Sequence, residues 1–199
     1  MEDIYKYKSK NWDLSSRRVQ NTQAIANIIL NNIDIGSNDK ILDLGAGTGL
    51  LSFFLSQKPK EIVALDSSAS MLNELQSKID QFECNISVVK SSLEDYICKN
   101  CFEGIISSMT IHHIKDISAL FSKLYAMLKE NGFIAIADLD SEDGTFHDDN
   151  QGVHHFGFDF NMLKDIAESA GFKNVKYKKV HTIQKSQGDF DVFVLFAQK

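Results

Sequence analysis

The sequence predicts an α/β fold in three layers: a doubly wound, mostly parallel sheet of about seven strands with helices on both faces. Two observations predict it. Apolar runs of strand length alternate with amphipathic helical patterns along the chain, the order that builds parallel βαβ units. The last two strand runs are joined only through Ser186-Gln187-Gly188-Asp189. A connection that short cannot make a parallel crossover, so this pair is antiparallel.

Each element has its own signal. Val19, Ala24, Ile25, Ile28 and Ile29 recur at helical spacing and predict a helix over residues 15–33, with Ser15 or Ser16 as its cap. A buried strand is expected over 40–44, a helix over 49–56 that stops near Pro59, and a second strand, EIVAL, over 61–65. Met71, Leu72, Leu75 and Ile79 share one face of a helix over 70–81. Strands follow over 86–89 and 104–108. Ile117, Leu120, Phe121, Leu124 and Leu128 mark a helix over 116–129, with Gly132 placed where helices prefer to stop. A fifth strand over 133–139 leads into a long irregular segment, 140–159, of a length that in compact domains usually serves function. A helix over 161–170 ended by Gly171 and strands over 175–183 and 190–197 complete the chain. The whole of 1–199 is read as a single domain, with 1–35 an N-terminal helical cap segment.

Composition narrows the function. A formal net charge of −6 gives no overall positive field to draw a polyanion, so nucleic acid is disfavoured as partner. No apolar run is long enough to span a membrane, and the polar start MEDIYKYKSKNWD is no signal peptide. With three cysteines, an odd number, reduced thiols and a cytoplasmic location are expected. The one proline, Pro59, leaves no N-P-P-Y and no Pro-Cys motif of the nucleic-acid base methylases, and a small-molecule substrate is favoured.

The chemistry begins in ILDLGAGTGLLS, where glycines 45, 47 and 49 follow a strand and open a helix. The dinucleotide fingerprint needs its third glycine one place later, where Leu50 stands. Asp43, at the end of the strand, would repel a pyrophosphate by several tenths to a few kcal/mol, roughly, at intermediate dielectric. It would attract a cofactor carrying an ammonium and a sulfonium. Asp66, at the end of the second strand, suits a ribose diol.

These segments, with ALDSSASML, SSMTIHHI and LKENGFIAIAD in order, closely resemble the Rossmann-like (class I) S-adenosylmethionine-dependent methyltransferases. The resemblance runs from about Asn11 to the C-terminus, and is strongest to small bacterial and archaeal members with K-N-W-D, R-R and A-D-L-D-S-E-D-G-T-F-H. It implies S-adenosylmethionine as cofactor, S-adenosylhomocysteine as product and a small-molecule methyl acceptor. Carried over residue by residue, Gly45, Ala46, Gly47 and Gly49 would line the methionine moiety and Asp43 would take its ammonium. Asp66 would grip the ribose, with Ser67 and Met71 on the adenine. Ser92 stands where the family often has an acid, so the Leu93 backbone or Glu94 is the alternative partner of the adenine amine. Ser108, at the end of the fourth strand, completes the cofactor set.

Histidine is the natural base near neutral pH. His112 and His113 follow the fourth strand, while His147, His154 and His155 lie in the long segment. His113, His154 and His155 are the catalytic candidates; the segment is expected to fold over the acceptor, with His154 or His155 touching it. The acids of that segment also fit a divalent cation, and Cys98-Lys-Asn-Cys101 has the spacing of half a zinc site. Solvated acids and plain cysteines explain both more simply, and no metal is expected. Two rivals stay open: a nicotinamide-dependent oxidoreductase, and a non-catalytic module that binds S-adenosylmethionine.

Overall fold

A computed structural model describes Asp3 and residues 5–199. The chain divides into two compact units, Met1–Cys98 and Lys99–Lys199.

In the first unit, α1 (Ser16–Asn32) is capped by Ser15, whose hydroxyl accepts from Arg18 N–H. Three strands, β1 (Lys40–Leu44), β2 (Glu61–Asp66) and β3 (Asn85–Lys90), run parallel in the order β3-β2-β1. Ile41 to Leu44 and Ile62 to Leu65 are buried throughout. Strands covered on both faces read as such largely apolar runs, here interrupted by Asp43 alone. The connecting helices are α2 (Leu50–Leu55) and α3 (Ala69–Gln76). α3 stops short of the helix expected over 70–81, and Ile79–Gln81 forms a separate 3₁₀ turn. Ser77 explains the break: its hydroxyl donates to Glu74 O at 2.8 Å, diverting a helix carbonyl.

The second unit holds β4 (Phe102–Ser108), α4 (Ile117–Met127), β5 (Leu128–Leu139), α5 (Phe160–Ser169), β6 (Lys173–Lys185) and β7 (Gly188–Gln198). β4 and β5 are parallel, whereas β7 runs antiparallel to both β5 and β6. The short final turn therefore makes the antiparallel pair its length dictates. Gly132 does not end a helix. α4 passes straight into β5 at Leu128, and Asn131 takes the left-handed turn at φ 64°. Glycine is needed at 132 for space, since a Cβ there would stand 2.9 Å from Lys129 O and 3.0 Å from Glu103 O.

The strands form one seven-stranded mixed sheet, β3-β2-β1-β4-β5-β7-β6. Among the described residues no helix is long and apolar enough to cross a membrane. The expectation of three reduced thiols is corrected: Cys98 and Cys101 are disulfide-bonded, and Cys84 is the free cysteine. Spacing alone had read both as plain, reduced cysteines.

Candidate functional site

The first unit carries a cradle on the loops that follow β1 and β2. The β1–β2 ladder extends into the glycine loop, where Gly45 and Ala46 N–H both donate to Leu65 O at 2.8 and 3.1 Å. Gly47 and Gly49 have φ of 55° and 81°, left-handed values that favour glycine. Their surroundings differ. A Cβ on Gly49 would strike Leu75 at 2.8 Å, so that glycine serves packing, whereas a Cβ on Gly47 would meet nothing within 4 Å. Open space therefore lies over Gly47, as a ligand moiety resting on the loop requires.

Two carboxylates lie on the strands that lead into this loop and the next. Asp43 is 1% exposed and accepts from Ser52 Oγ at 2.6 Å. Burial pushes its carboxyl up to about 7; the Ser52 hydrogen bond opposes the rise, and the charge of Asp66 adds to it. Asp66 accepts from Gly47 N–H at 2.8 Å and Ser68 N–H at 2.7 Å. Burial raises its carboxyl too, against the pull of those two N–H groups. The same Gly47 N–H bond locks the glycine loop to the end of β2.

The second unit carries a histidine cluster. His112, on the 3₁₀ turn Ile111–His113 after β4, is 1% exposed. Its Nδ1 lies 2.7 Å from Asp138 Oδ1, a fully buried carboxylate inside β5. The hydrogen-bond network assigns the proton to Nδ1, leaving Nε2 with a free lone pair. That Nε2 and the Nε2 of His147 are both buried without a hydrogen-bond partner. The His112 ring centroid lies 4.2 Å from that of His113 and 5.0 Å from that of His147. Burial, with the charges of His112 and His113, pushes His147 down to about 4. Burial and His112 also lower His113, whose Nδ1 donates to Gly152 O at 2.8 Å. Both rings are therefore neutral imidazoles at neutral pH.

The long segment is folded around this cluster. His154 and His155 N–H both donate to His112 O, and His155 Nε2 donates to Ile114 O at 3.0 Å. Its acids are occupied locally. One Glu142 oxygen accepts from the backbone N–H of Gly144, Thr145 and Phe146, and Asp140 accepts from Tyr177 at 2.6 Å. Among the described residues no group of three His, Cys, Asp or Glu side chains is set to hold a metal ion.

Comparison with known proteins fits this geometry. Residues 41–132 match the family described as "Methyltransferase domain". The chain is 30% identical over 177 residues to an uncharacterized methyltransferase of Schizosaccharomyces pombe, covering 80% of this chain and 61% of that protein. It is 27% identical to phosphoethanolamine N-methyltransferase 1 of Triticum aestivum, over 73% of this chain and 30% of the relative. The chain thus spans less than two thirds of these curated relatives' own length. In fold it is similar to a S-adenosylmethionine-dependent methyltransferase from Methanosarcina mazei, at TM-score 0.70 and 16% identity, covering 86% of this chain and 96% of that one. Residues 41–132 are thus similar to a methyltransferase domain, on a fold like that of the archaeal methyltransferase.

Against that family, the residues expected to hold the cofactor fall into three groups. Asp43, Gly45, Ala46, Gly47, Gly49 and Asp66 come together as one cradle. Ser67 is exposed beside it, while Met71 is 3% exposed on α3 and Leu93 is 8% exposed. Ser92 is tied to its own turn: its hydroxyl donates to Asp95 and accepts from Asp95 N–H. Ser108 closes β4 in the second unit, its carbonyl accepting from Thr110 Oγ1 at 3.1 Å. His113, His154 and His155 all lie at or beside the histidine cluster. Sequence reasoning missed the partnership of His112 with Asp138. The available signal was an acid inside the apolar run IAIADL, which a buried strand tolerates only with a partner.

Proposed function

We propose that this protein is a S-adenosylmethionine-dependent methyltransferase that passes the sulfonium methyl to an oxygen, nitrogen or sulfur atom of a small molecule. The observation that carries it is the open space over Gly47, whose N–H donates to Asp66, with the buried Asp43 on the strand that leads into the loop. Bound there, the cofactor supplies an electrophilic methyl and a neutral leaving group. The residues bind and orient it. Asp66 already accepts two backbone N–H groups, and a carboxylate has about four lone-pair sites, so it retains capacity for a ribose diol. Asp43, poised at about 7, ionises readily opposite an ammonium. A pyrophosphate would face the same two acids and be repelled.

His112 is the proton acceptor in this reading, because Asp138 fixes its tautomer and would stabilise the imidazolium. An acceptor hydroxyl needs that help most. The net charge of −6 and the wheat relative named for phosphoethanolamine support a small acceptor over a macromolecule. The test is incubation with methyl-labelled cofactor and a cell extract separated into small-molecule and macromolecular fractions. Label is expected in a small molecule. Label confined to protein or nucleic acid would overturn the acceptor class.

A further inference from the structure

The segment from Tyr5 to Leu14, with Asp3 ahead of it, joins the two loops that form the cradle. At one end, Asp3 Oδ1 accepts from Ser68 Oγ at 2.9 Å and Asp3 Oδ2 from Ser70 N–H at 2.9 Å, just beyond β2. At the other, Asp13 Oδ1 accepts from Thr48 Oγ1 at 2.6 Å, inside the glycine loop, while Asp13 Oδ2 pairs with Lys78 Nζ. Between these anchors the chain is compact. Tyr5 meets Trp12 edge to face at 5.8 Å, and Arg18 lies over the Trp12 ring at 4.0 Å. Burial, with the charges of Asp66 and Asp3, pushes the Tyr5 phenol up.

The anchors are not ordinary surface contacts. Thr48 is 2% exposed and Ser68 is 5% exposed, so the hydroxyls that the two acids accept from are buried. An exposed ion pair would contribute little. A charge-assisted bond from a buried hydroxyl contributes more, since its loss leaves that hydroxyl unpartnered. In this closed arrangement the segment ties together the glycine loop and the loop of Asp66, the two surfaces between which the cofactor must pass.

We propose that the segment is a strap that must unlatch each time the cofactor exchanges, and that Asp13 is its latch, a positioning residue that acts through Thr48. This rests on the cradle's being the cofactor site. A latch that is closed both with and without cofactor slows arrival and departure equally. Its removal speeds both and leaves affinity nearly unchanged. A residue that merely supports the fold, or that touches the cofactor, has no such signature.

The experiment is stopped-flow kinetics with S-adenosylhomocysteine on the full chain and on Asp13→Ala, Thr48→Val and Thr48→Ser. Asp13→Ala and Thr48→Val are each expected to raise the association and dissociation rates together by about 10–100-fold, with Kd moving less than about threefold. Thr48→Ser, which keeps the hydroxyl, should return parent rates even if Asp13→Ala proves too unstable to assay. The double variant should be no faster than Asp13→Ala alone, because Thr48→Val removes a bond that Asp13→Ala has already removed. Rates within about twofold of the parent in Thr48→Val, or a faster dissociation alone with weakened affinity, would overturn the latch. Failure of the parent to bind S-adenosylhomocysteine would overturn the cradle itself, and so separates the two claims.

Discussion

The cradle's working groups sit on two successive strand-to-helix turns, after β1 and after β2. The histidine cluster draws His112 from the turn after β4, Asp138 from the interior of β5 and His147 from the long segment beyond it. The first is made mostly of backbone: positive φ at Gly47 and Gly49, and N–H groups of Gly47 and Ser68 turned onto Asp66. The second is made of side chains that meet only after folding. A site built from backbone leaves its mark in local sequence, because only glycine accepts those conformations cheaply. A site built from tertiary placement leaves residue types but not their partners.

The comparison breaks most sharply at Gly47. Gly47→Val should abolish binding of S-adenosylhomocysteine, because its side chain would fill the open space on the loop. The positive φ adds a strain of about 1–2 kcal/mol, so a modest fall in melting temperature is expected beside an otherwise native circular dichroism spectrum. Undiminished binding in a folded variant would remove the loop from the site.

Next in size is the histidine cluster. Asp138→Asn keeps the shape of the buried side chain but frees the His112 tautomer. Turnover of labelled cofactor is expected to fall by about 10²–10⁴-fold, while affinity for S-adenosylhomocysteine stays within about twofold. Equal turnover in both proteins would return the dyad to structure.

Those two variants also mark what was legible. The parallel strands and the antiparallel final pair followed from alternation and turn length, and the positive-φ loop of Gly47 and Gly49 from glycine spacing. Misplaced were features decided by competition for single groups. The Ser77 hydroxyl ends α3 early, and Asn131, not Gly132, takes the left-handed turn, within β5. Acids of the long segment read as solvated, yet one Glu142 oxygen accepts from three backbone N–H groups of its own turn. His155 looked free to meet a substrate, yet its Nε2 is bound to the Ile114 carbonyl. Residue type announces a capacity to bond; only the fold decides where the bond goes.

A smaller effect sharpens the cradle side. Asp66→Ala should weaken S-adenosylhomocysteine binding by about 1.5–3 kcal/mol, the range of charge-assisted hydrogen bonds to a desolvated diol. Calorimetry showing parent affinity with the fold intact would take Asp66 out of the site.

The smallest effect is a pH dependence set by Asp43. Its folded carboxyl is raised from 3.8 to about 7, so the folded protein holds a proton that the unfolded chain has lost between those values. Its contribution to stability is present at low pH and is lost as pH rises through about 7. Cofactor binding runs the other way, because an ammonium prefers the ionised acid. Affinity should rise by about tenfold between roughly pH 6 and pH 8, with proton release on binding, and Asp43→Asn should flatten that slope. A slope unchanged in Asp43→Asn would place the titrating group elsewhere.

The claim that Asp43, Asp66 and an open glycine loop select a cationic adenosyl cofactor over a dinucleotide is tested most directly by side-by-side calorimetric titration of the parent protein. The account predicts saturable one-to-one heat with S-adenosylhomocysteine and none with NAD. Tight NAD binding, with no heat from S-adenosylhomocysteine, would contradict it.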